Sequence, residues 1–332
     1  MEVHLINHPS YGSWVLAPSH PTQGRRFEAA TSVLRQLAAE GQLQLREHES
    51  VAATAEQLHE VHAPHYVRRV LEDGISGEWS GSRPDLAEIA TRFYGGTLLA
   101  EGLVADGAKL VVHLPGAKHH AMSDRSSGFC VFADFAALAR RFAAAGKRVA
   151  CLDVDLHHGD GTEELTRAEP NILTFSVHQG GLFPGTGAER EDDHSQHVYN
   201  RPLAAGDGDA ELVVAVQEFV DLAKAFNADV LLLAVGGDGH AADPLGSLEY
   251  SEAGLAMALS LVRNAFADTP IVMGGAGGYR PDDHTPSMWV HAVAALAGRE
   301  GADIEGLNIL ERVHESVRVG AHTDSSNDTQ RD

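Results

Sequence analysis

Short apolar, β-branched runs alternate with longer amphipathic stretches along almost the whole of this 332-residue chain. Residues 3–6, 109–114, 148–154, 171–177, 228–235 and 270–273 read as strands. Residues 25–40, 64–72, 84–105, 134–145, 209–227, 251–267 and 285–298 read as helices. Pro64 and Pro84 sit where a first helical turn tolerates proline, and Gly41 and Gly146 stand where helices stop. Asp134 and Ser251 read as N-caps. Runs this apolar are buried on both faces, and their alternation with helices implies a parallel sheet with helices on either side. The expected fold is therefore α/β with a central parallel β-sheet. No internal repeat or linker interrupts the pattern, so residues 1–320 read as one domain. Residues 321–332, rich in Thr, Ser, Asn and Asp, have little to bury and read as a flexible tail.

Charge narrows the function classes. Lys and Arg number 25 against 47 Asp and Glu, a net charge of −22. Nucleic-acid backbones and anionic lipid both call for a basic footprint, so no nucleic acid and no membrane are expected as partners. A cationic substrate is compatible with this surface. The apolar run 230–235 is far too short to span a bilayer, and the first residues lack a secretory pattern. Two cysteines, Cys130 and Cys151, provide no disulfide framework, as expected of a cytoplasmic protein. The 20 histidines are more telling, because many cluster near carboxylates.

In open parallel sheets, ligands bind beyond the carboxyl ends of the strands. After 109–114 come His119 and His120. After 148–152 come Asp153, Asp155, His157, His158 and Asp160. After 171–175 come Ser176 and His178. Asp238, His240 and Asp243 follow 230–235, and a glycine run ending at Tyr279 follows 271–273. Five strands thus deliver polar, glycine-rich segments to one edge.

Residues at i, i+2 and i+4 of a strand share a face, so Asp153, Asp155 and His157 line up where their strand ends. Aspartate with histidine suits a borderline divalent metal: Zn2+, or alternatively Fe2+ or Mn2+. A further ligand has to come from another strand end, with Asp243 or Asp238 as donor.

These segments resemble the histone deacetylase family, including its bacterial deacetylase, acetylpolyamine amidohydrolase and acetoin-utilisation relatives. The matching stretches are 119–121, 127–130, 152–161, 183–187, 237–246 and 277–279, in family order, with 58–62 and 20–26 as earlier matches. The resemblance implies the single-domain arginase/deacetylase fold, with residues 1–320 as the catalytic domain. It implies metal ligands Asp155, His157 and Asp243, normally around Zn2+. It also implies a catalytic His pair, His119 and His120, backed by Asp153 and Asp160 respectively. His120 is the expected general base and His119 is expected to act mainly through its charge. Tyr279 matches the catalytic tyrosine. Phe129 and Phe183 match the tunnel walls, and Gly128 and Gly277 the backbone beside the substrate. Asp153, Asp155, His157, Ser176 and Val177 match a structural K+ site, and Arg26 an arginine at the tunnel's inner end. Cys130 is expected to line the site without acting as a nucleophile.

Three departures bear on substrate. The rim segment 73–85 is short, with Glu78 or Trp79 as candidates for the rim. Lys118 precedes the His pair, and Asp238 and His240 occupy a stretch that is more apolar in eukaryotic relatives. The implied function is a zinc-dependent amidohydrolase that removes an acyl group, chiefly acetyl, from acyl-lysine, an acetylated polyamine or another small acylated amine. The alternatives are an arginase-like dinuclear Mn2+ ureohydrolase, with Asp153 and Asp238 as bridges, and a non-catalytic binding protein on the same fold.

Overall fold

The computed structural model describes residues 1–327. Its strands are β1 (Glu2–Asn7), β2 (Gln44–Glu49), β3 (Leu110–His113), β4 (Val149–Asp153), β5 (Ile172–Gln179), β6 (Glu191–Asp193), β7 (Val198–Leu203), β8 (Val230–Ala234) and β9 (Ile271–Gly274). They form one nine-stranded sheet in the order β2-β1-β3-β9-β8-β4-β5-β7-β6. Each neighbouring pair is parallel except β6 with β7. The helices are α1 (Arg25–Ala39), α2 (Ala55–Leu58), α3 (Pro64–Leu71), α4 (Pro84–Ala105), α5 (Asp134–Ala144), α6 (Asp160–Thr166), α7 (Asp209–Ala225), α8 (Glu252–Ala265), α9 (His284–Leu296), α10 (Ala302–Glu305) and α11 (Ile309–Asn327).

The strand order explains where the site lies. β3, β9, β8, β4 and β5 are consecutive across the sheet and run in one direction. They are the strands whose ends carry the polar, glycine-rich segments, so those segments converge on one edge. Every residue of these five strands is buried. Such a position demands unbroken apolar runs, which is why they were visible in the sequence. The helices pack as two groups, α1, α7, α8, α9 and α11 in one and α3 to α6 in the other.

Three strands were not anticipated. β2, with the sequence QLREHE, is a largely exposed edge strand, and β6 and β7 close the other edge. The edge strands β2 and β6 face water and need no apolar run, so they leave little periodic signal. β7 is mostly buried, but its apolar run is interrupted by Asn200 and Arg201, which pair with Glu163, Glu191 and Glu218. The last helix reaches Asn327, into the segment expected as a tail, and residues 328–332 lie outside the described residues. No helix among the described residues is long and apolar enough to cross a membrane.

Helix starts follow local chemistry. Pro64 and Pro84 open α3 and α4, and the Ser251 hydroxyl accepts the Gly254 N–H at 3.0 Å to cap α8. Asp134 differs from expectation. Ala133 occupies the cap position, and Asp134 turns its carboxylate away from its own helix to accept the N–H groups of Ala117 (3.0 Å) and Lys118 (2.7 Å).

Candidate active site

The Asp134 contacts set the backbone just before His119 and His120. The Thr97 hydroxyl also donates to Asp134 at 2.5 Å, and the Thr162 N–H of α6 donates to the His119 carbonyl at 3.0 Å. Two helices therefore hold the His pair. Its sequence neighbours gave no hint of Asp134's part, because a carboxylate that caps a helix and one that braces a loop look alike in one dimension.

The two imidazoles lie with centroids 4.0 Å apart and planes tilted by 43°. Nδ1 of His119 donates to Asp153 Oδ2 at 2.7 Å, and Nδ1 of His120 donates to Asp160 Oδ1 at 2.6 Å. Each bond leaves Nε2 as the nitrogen free to exchange a proton. His119 Nε2 lies 3.7 Å from Asp155 Oδ1. The environments then separate the pair. Burial opposes charge on His119, but Asp153 and Asp155 outweigh it and raise the pKa to about 9. Burial together with the His119 charge outweighs Asp160 at His120 and lowers it to about 4. A neutral base thus stands beside a charged partner at neutral pH.

Beyond the pair, Asp155, His157 and Asp238 each place a ligand-type atom within 4.8 Å of the others. Burial opposes charge on Asp155, yet His119 and His157 hold it well below the usual carboxylate range. At His157 burial again opposes charge, but Asp155 and Asp238 raise the imidazole to about 10. Asp243, the ligand implied by the resemblance, stands beside this group. Burial and the Asp238 charge push its carboxyl up to about 7. Its Oδ2 accepts the Tyr279 N–H at 2.8 Å, and its Oδ1 accepts the Leu245 N–H at 3.0 Å.

The residues fit a divalent cation. Three buried aspartates gather near one imidazole, and burial with their mutual repulsion pushes Asp238 and Asp243 up, so their ionised forms are unfavourable until a cation offsets them. Asp238 Oδ2 is buried and accepts no hydrogen bond, although it lies 3.2 Å from His157 Nδ1. Gly277 keeps the space open: a Cβ there would meet Asp238 Oδ2 at 2.3 Å and Asp155 Oδ2 at 2.6 Å. Its N–H instead donates to Asp155 Oδ2 at 2.7 Å. A borderline metal such as Zn2+ suits this donor set of imidazole and carboxylate.

Two aromatic rings flank the entrance. Phe183, half exposed, meets His120 edge-on at 5.0 Å and His157 at 6.2 Å. Phe129 lies edge-on to Tyr279 at 5.9 Å and to His20 at 4.6 Å. Gly128 has φ +54°, and a Cβ on it would strike the His120 ring at 2.4 Å, so glycine is required there. Burial raises the Tyr279 hydroxyl well above its ordinary range, so it remains a donor at neutral pH.

At the rim, Glu78 Oε2 accepts the Phe129 N–H at 2.7 Å. Trp79, the other rim candidate, is instead buried, with its Nε1 donating to the Gly74 carbonyl and its ring edge-on to Trp14. Arg26 is buried and donates to the Gly278 carbonyl. Lys118 is buried too, its ammonium 5.2 Å from the Phe93 ring, and burial lowers it to about 8. Burial pushes the Cys130 thiol up to about 12, too high for a nucleophile. Ser176 pairs in register with Asp153, and its hydroxyl lies 2.8 Å from His178 Nδ1. Val177 follows it, fully buried, on the same strand.

The chain is similar to known proteins along most of its length. A family model of the histone deacetylase domain matches residues 20–296. The acetoin utilization protein AcuC of Staphylococcus aureus (strain Mu50 / ATCC 700699) is 31% identical over 268 residues, which cover 74% of this chain and 69% of that protein. A probable deacetylase of Archaeoglobus fulgidus is 28% identical over 316 residues, covering 89% of this chain and 86% of that one. The crystal structure of the HDA15 HD domain matches with a TM-score of 0.78 over 98% of both chains, at 23% identity, a likeness of fold.

Proposed function

The chain belongs to the histone deacetylase family, and from that premise we propose that it is a zinc-dependent hydrolase removing acyl groups, chiefly acetyl, from amines. The substrates we propose are acyl-lysine, acetylated polyamines and other small acylated amines. The supporting observation is the His pair, bonded to separate carboxylates beside the Asp155–His157–Asp238 group. Asp155 and His157, with Asp243 or Asp238, would hold the metal. Bound there, a divalent cation supplies Lewis-acid polarisation of the amide carbonyl and acidification of a water.

The chain's own groups do the rest. His120, neutral at pH 7, takes the proton from the attacking water, and Asp160 steadies the imidazolium that forms. The Tyr279 hydroxyl donates to the carbonyl oxygen as negative charge develops on it. The charged His119 lies where it adds to that field, and the protonated imidazole returns its proton to the departing amine. Phe129 and Phe183 hold the alkyl chain and exclude water. Ser176, Val177 and the main chain at Asp153, Asp155 and His157 would take a structural K+. We place the enzyme in the cytoplasm, since Cys130 and Cys151 are free thiols.

The test combines elemental analysis with a deacylation screen on zinc-loaded protein, using acetyl-lysine peptides, acetylpolyamines and small acetylated amines. About one metal per chain with turnover is expected, given one mononuclear site. Two tightly bound metals with urea-forming activity would indicate the ureohydrolase instead. A folded protein that turns over none of these substrates would be a binding protein.

A further inference from the structure

A second group of imidazoles and carboxylate lies behind the loops that form the site. Glu252, the first residue of α8, is bonded to His240 Nε2 at 3.2 Å through Oε2 and to His284 Nδ1 at 2.9 Å through Oε1. The two rings are stacked, 4.0 Å apart and 21° from parallel. The three ligand-type atoms lie within 4.8 Å of one another, a spacing that a metal also takes.

The hydrogen bonds decide between metal and bridge. His240 Nδ1 accepts the Ala242 N–H at 3.0 Å, so the single proton of the neutral ring stands on Nε2 and points at Glu252. Coordination through Nε2 would move that proton to Nδ1, against the Ala242 N–H. Glu252 is therefore a double acceptor that ties two imidazoles together.

What it ties together matters for the site. His240 lies between Asp238 and Asp243 on the loop after β8. His284 opens α9, immediately after the loop that carries Tyr279. Those loops also meet at the site itself, through Gly237 N–H to the Gly277 carbonyl (3.0 Å) and Tyr279 N–H to Asp243 (2.8 Å). Glu252 sits on a fixed base, because Asp209 of α7 accepts both the Ser251 N–H (2.7 Å) and the Ser251 hydroxyl (2.6 Å).

We infer that Glu252 is a positioning residue of the active site, setting the Asp238–Asp243 loop against the Tyr279 loop through His240 and His284. This rests on the deacylase reading above. Two readouts separate it from a purely structural role: Zn2+ affinity of the apoprotein by dye competition, and kcat against KM on capped acetyl-lysine. Glu252→Ala is expected to weaken zinc binding and lower kcat by about tenfold each, the lower end for partners behind metal ligands, with KM nearly unchanged. Glu252→Gln, which keeps one acceptor oxygen, should fall between wild type and Glu252→Ala. Glu252→Ala/His284→Ala should be no worse than either single variant, because both cut one bridge. Ser251→Ala removes the cap of the same helix but keeps the Ser251 N–H bond to Asp209, so it should lower the melting temperature while weakening zinc binding clearly less than Glu252→Ala. The inference is overturned if Glu252→Ala keeps wild-type affinity and kcat, or if Ser251→Ala weakens zinc binding as much. It is overturned equally if wild type binds a second zinc that Glu252→Ala loses. A wild-type protein that neither binds zinc nor hydrolyses acetyl-lysine would overturn the functional reading itself.

Discussion

The Asp155–His157–Asp238 group and the Glu252–His240–His284 group are built from the same side-chain types, yet they are balanced differently. Behind the loops, one carboxylate meets two imidazole N–H groups, and His240 Nδ1 is filled by a backbone N–H. In the site, two carboxylates crowd one imidazole, a third stands beside them, and a buried oxygen of Asp238 accepts nothing. The first arrangement is complete as it stands. The second gains from a cation, because unpaired buried charge is costly until a positive centre arrives. Residue type alone does not make a metal site; the balance of donors against acceptors does.

The sharpest way to break this comparison is to remove one member from each group. Asp155→Ala or His157→Ala should abolish tight metal binding and lower kcat/KM by at least about 10³-fold, since a Lewis acid contributes several kcal/mol. Elemental analysis beside an acetyl-lysine assay reads both effects. If the loss is no larger than for Glu252→Ala, the two groups are not distinct in the way described.

Next in size is the His pair. His120→Ala should lower kcat by about 10²-fold or more with metal retained, within the usual span of acid–base catalysis. His119→Ala, which removes a charge rather than the base, should cost less. Equal losses, measured on zinc-matched proteins, would remove the division of roles drawn from their carboxylate partners.

A third prediction concerns histidines outside both groups. Burial lowers His62 and His178 to about 4 and His113 to about 3. These rings are neutral in the fold, whereas in the unfolded chain they titrate near 6.5. The unfolded state thus takes up protons first as pH falls. Stability should be unaffected by these rings above about pH 6.5 and decline between about 6.5 and 3, by up to about 1.4 kcal/mol per ring for each pH unit. Urea midpoints at constant zinc across that range check it. A flat profile would mean that these rings titrate normally in the fold.

The smallest expected effect is at the rim. Glu78 spends one oxygen on the Phe129 N–H, and Trp79 faces the core, so these two rim candidates offer a peptide backbone little to grip. The value of kcat/KM for one acetyl-lysine in several peptide contexts should vary by less than about tenfold. A spread beyond a hundredfold, about 2.7 kcal/mol of differential transition-state binding, would show that the rim reads sequence.

Legibility in the sequence followed burial and locality. The central strands, such as Val230–Ala234 and Ile271–Gly274, are buried throughout and stood out as apolar runs. Their polar ends stood out by contrast, and the Asp153-x-Asp155-x-His157 spacing declared a shared face. β2 and β6 did not stand out, because an edge strand is free to be polar. Trp79 was ambiguous because an aromatic residue in a short loop suits either rim or core until its neighbours, here Trp14, are in place.

Read alone, the sequence determined the α/β class, the direction of the sheet's chemistry and the identity of the groups at the strand ends, because these depend on periodicities of a few residues. It left open whether Asp238 or Asp243 closes the group around His157. It also left open why two adjacent histidines differ and whether His240 belongs to a metal or a bridge. Only the tertiary structure decided what each of these groups touches. His119 and His120 answer to Asp153 and Asp160, more than thirty residues away, and His240 and His284 answer to Glu252 on another helix. Charge and proton position depend on distance and burial in three dimensions, and those arise only once the strands lie side by side and water has been excluded from between them.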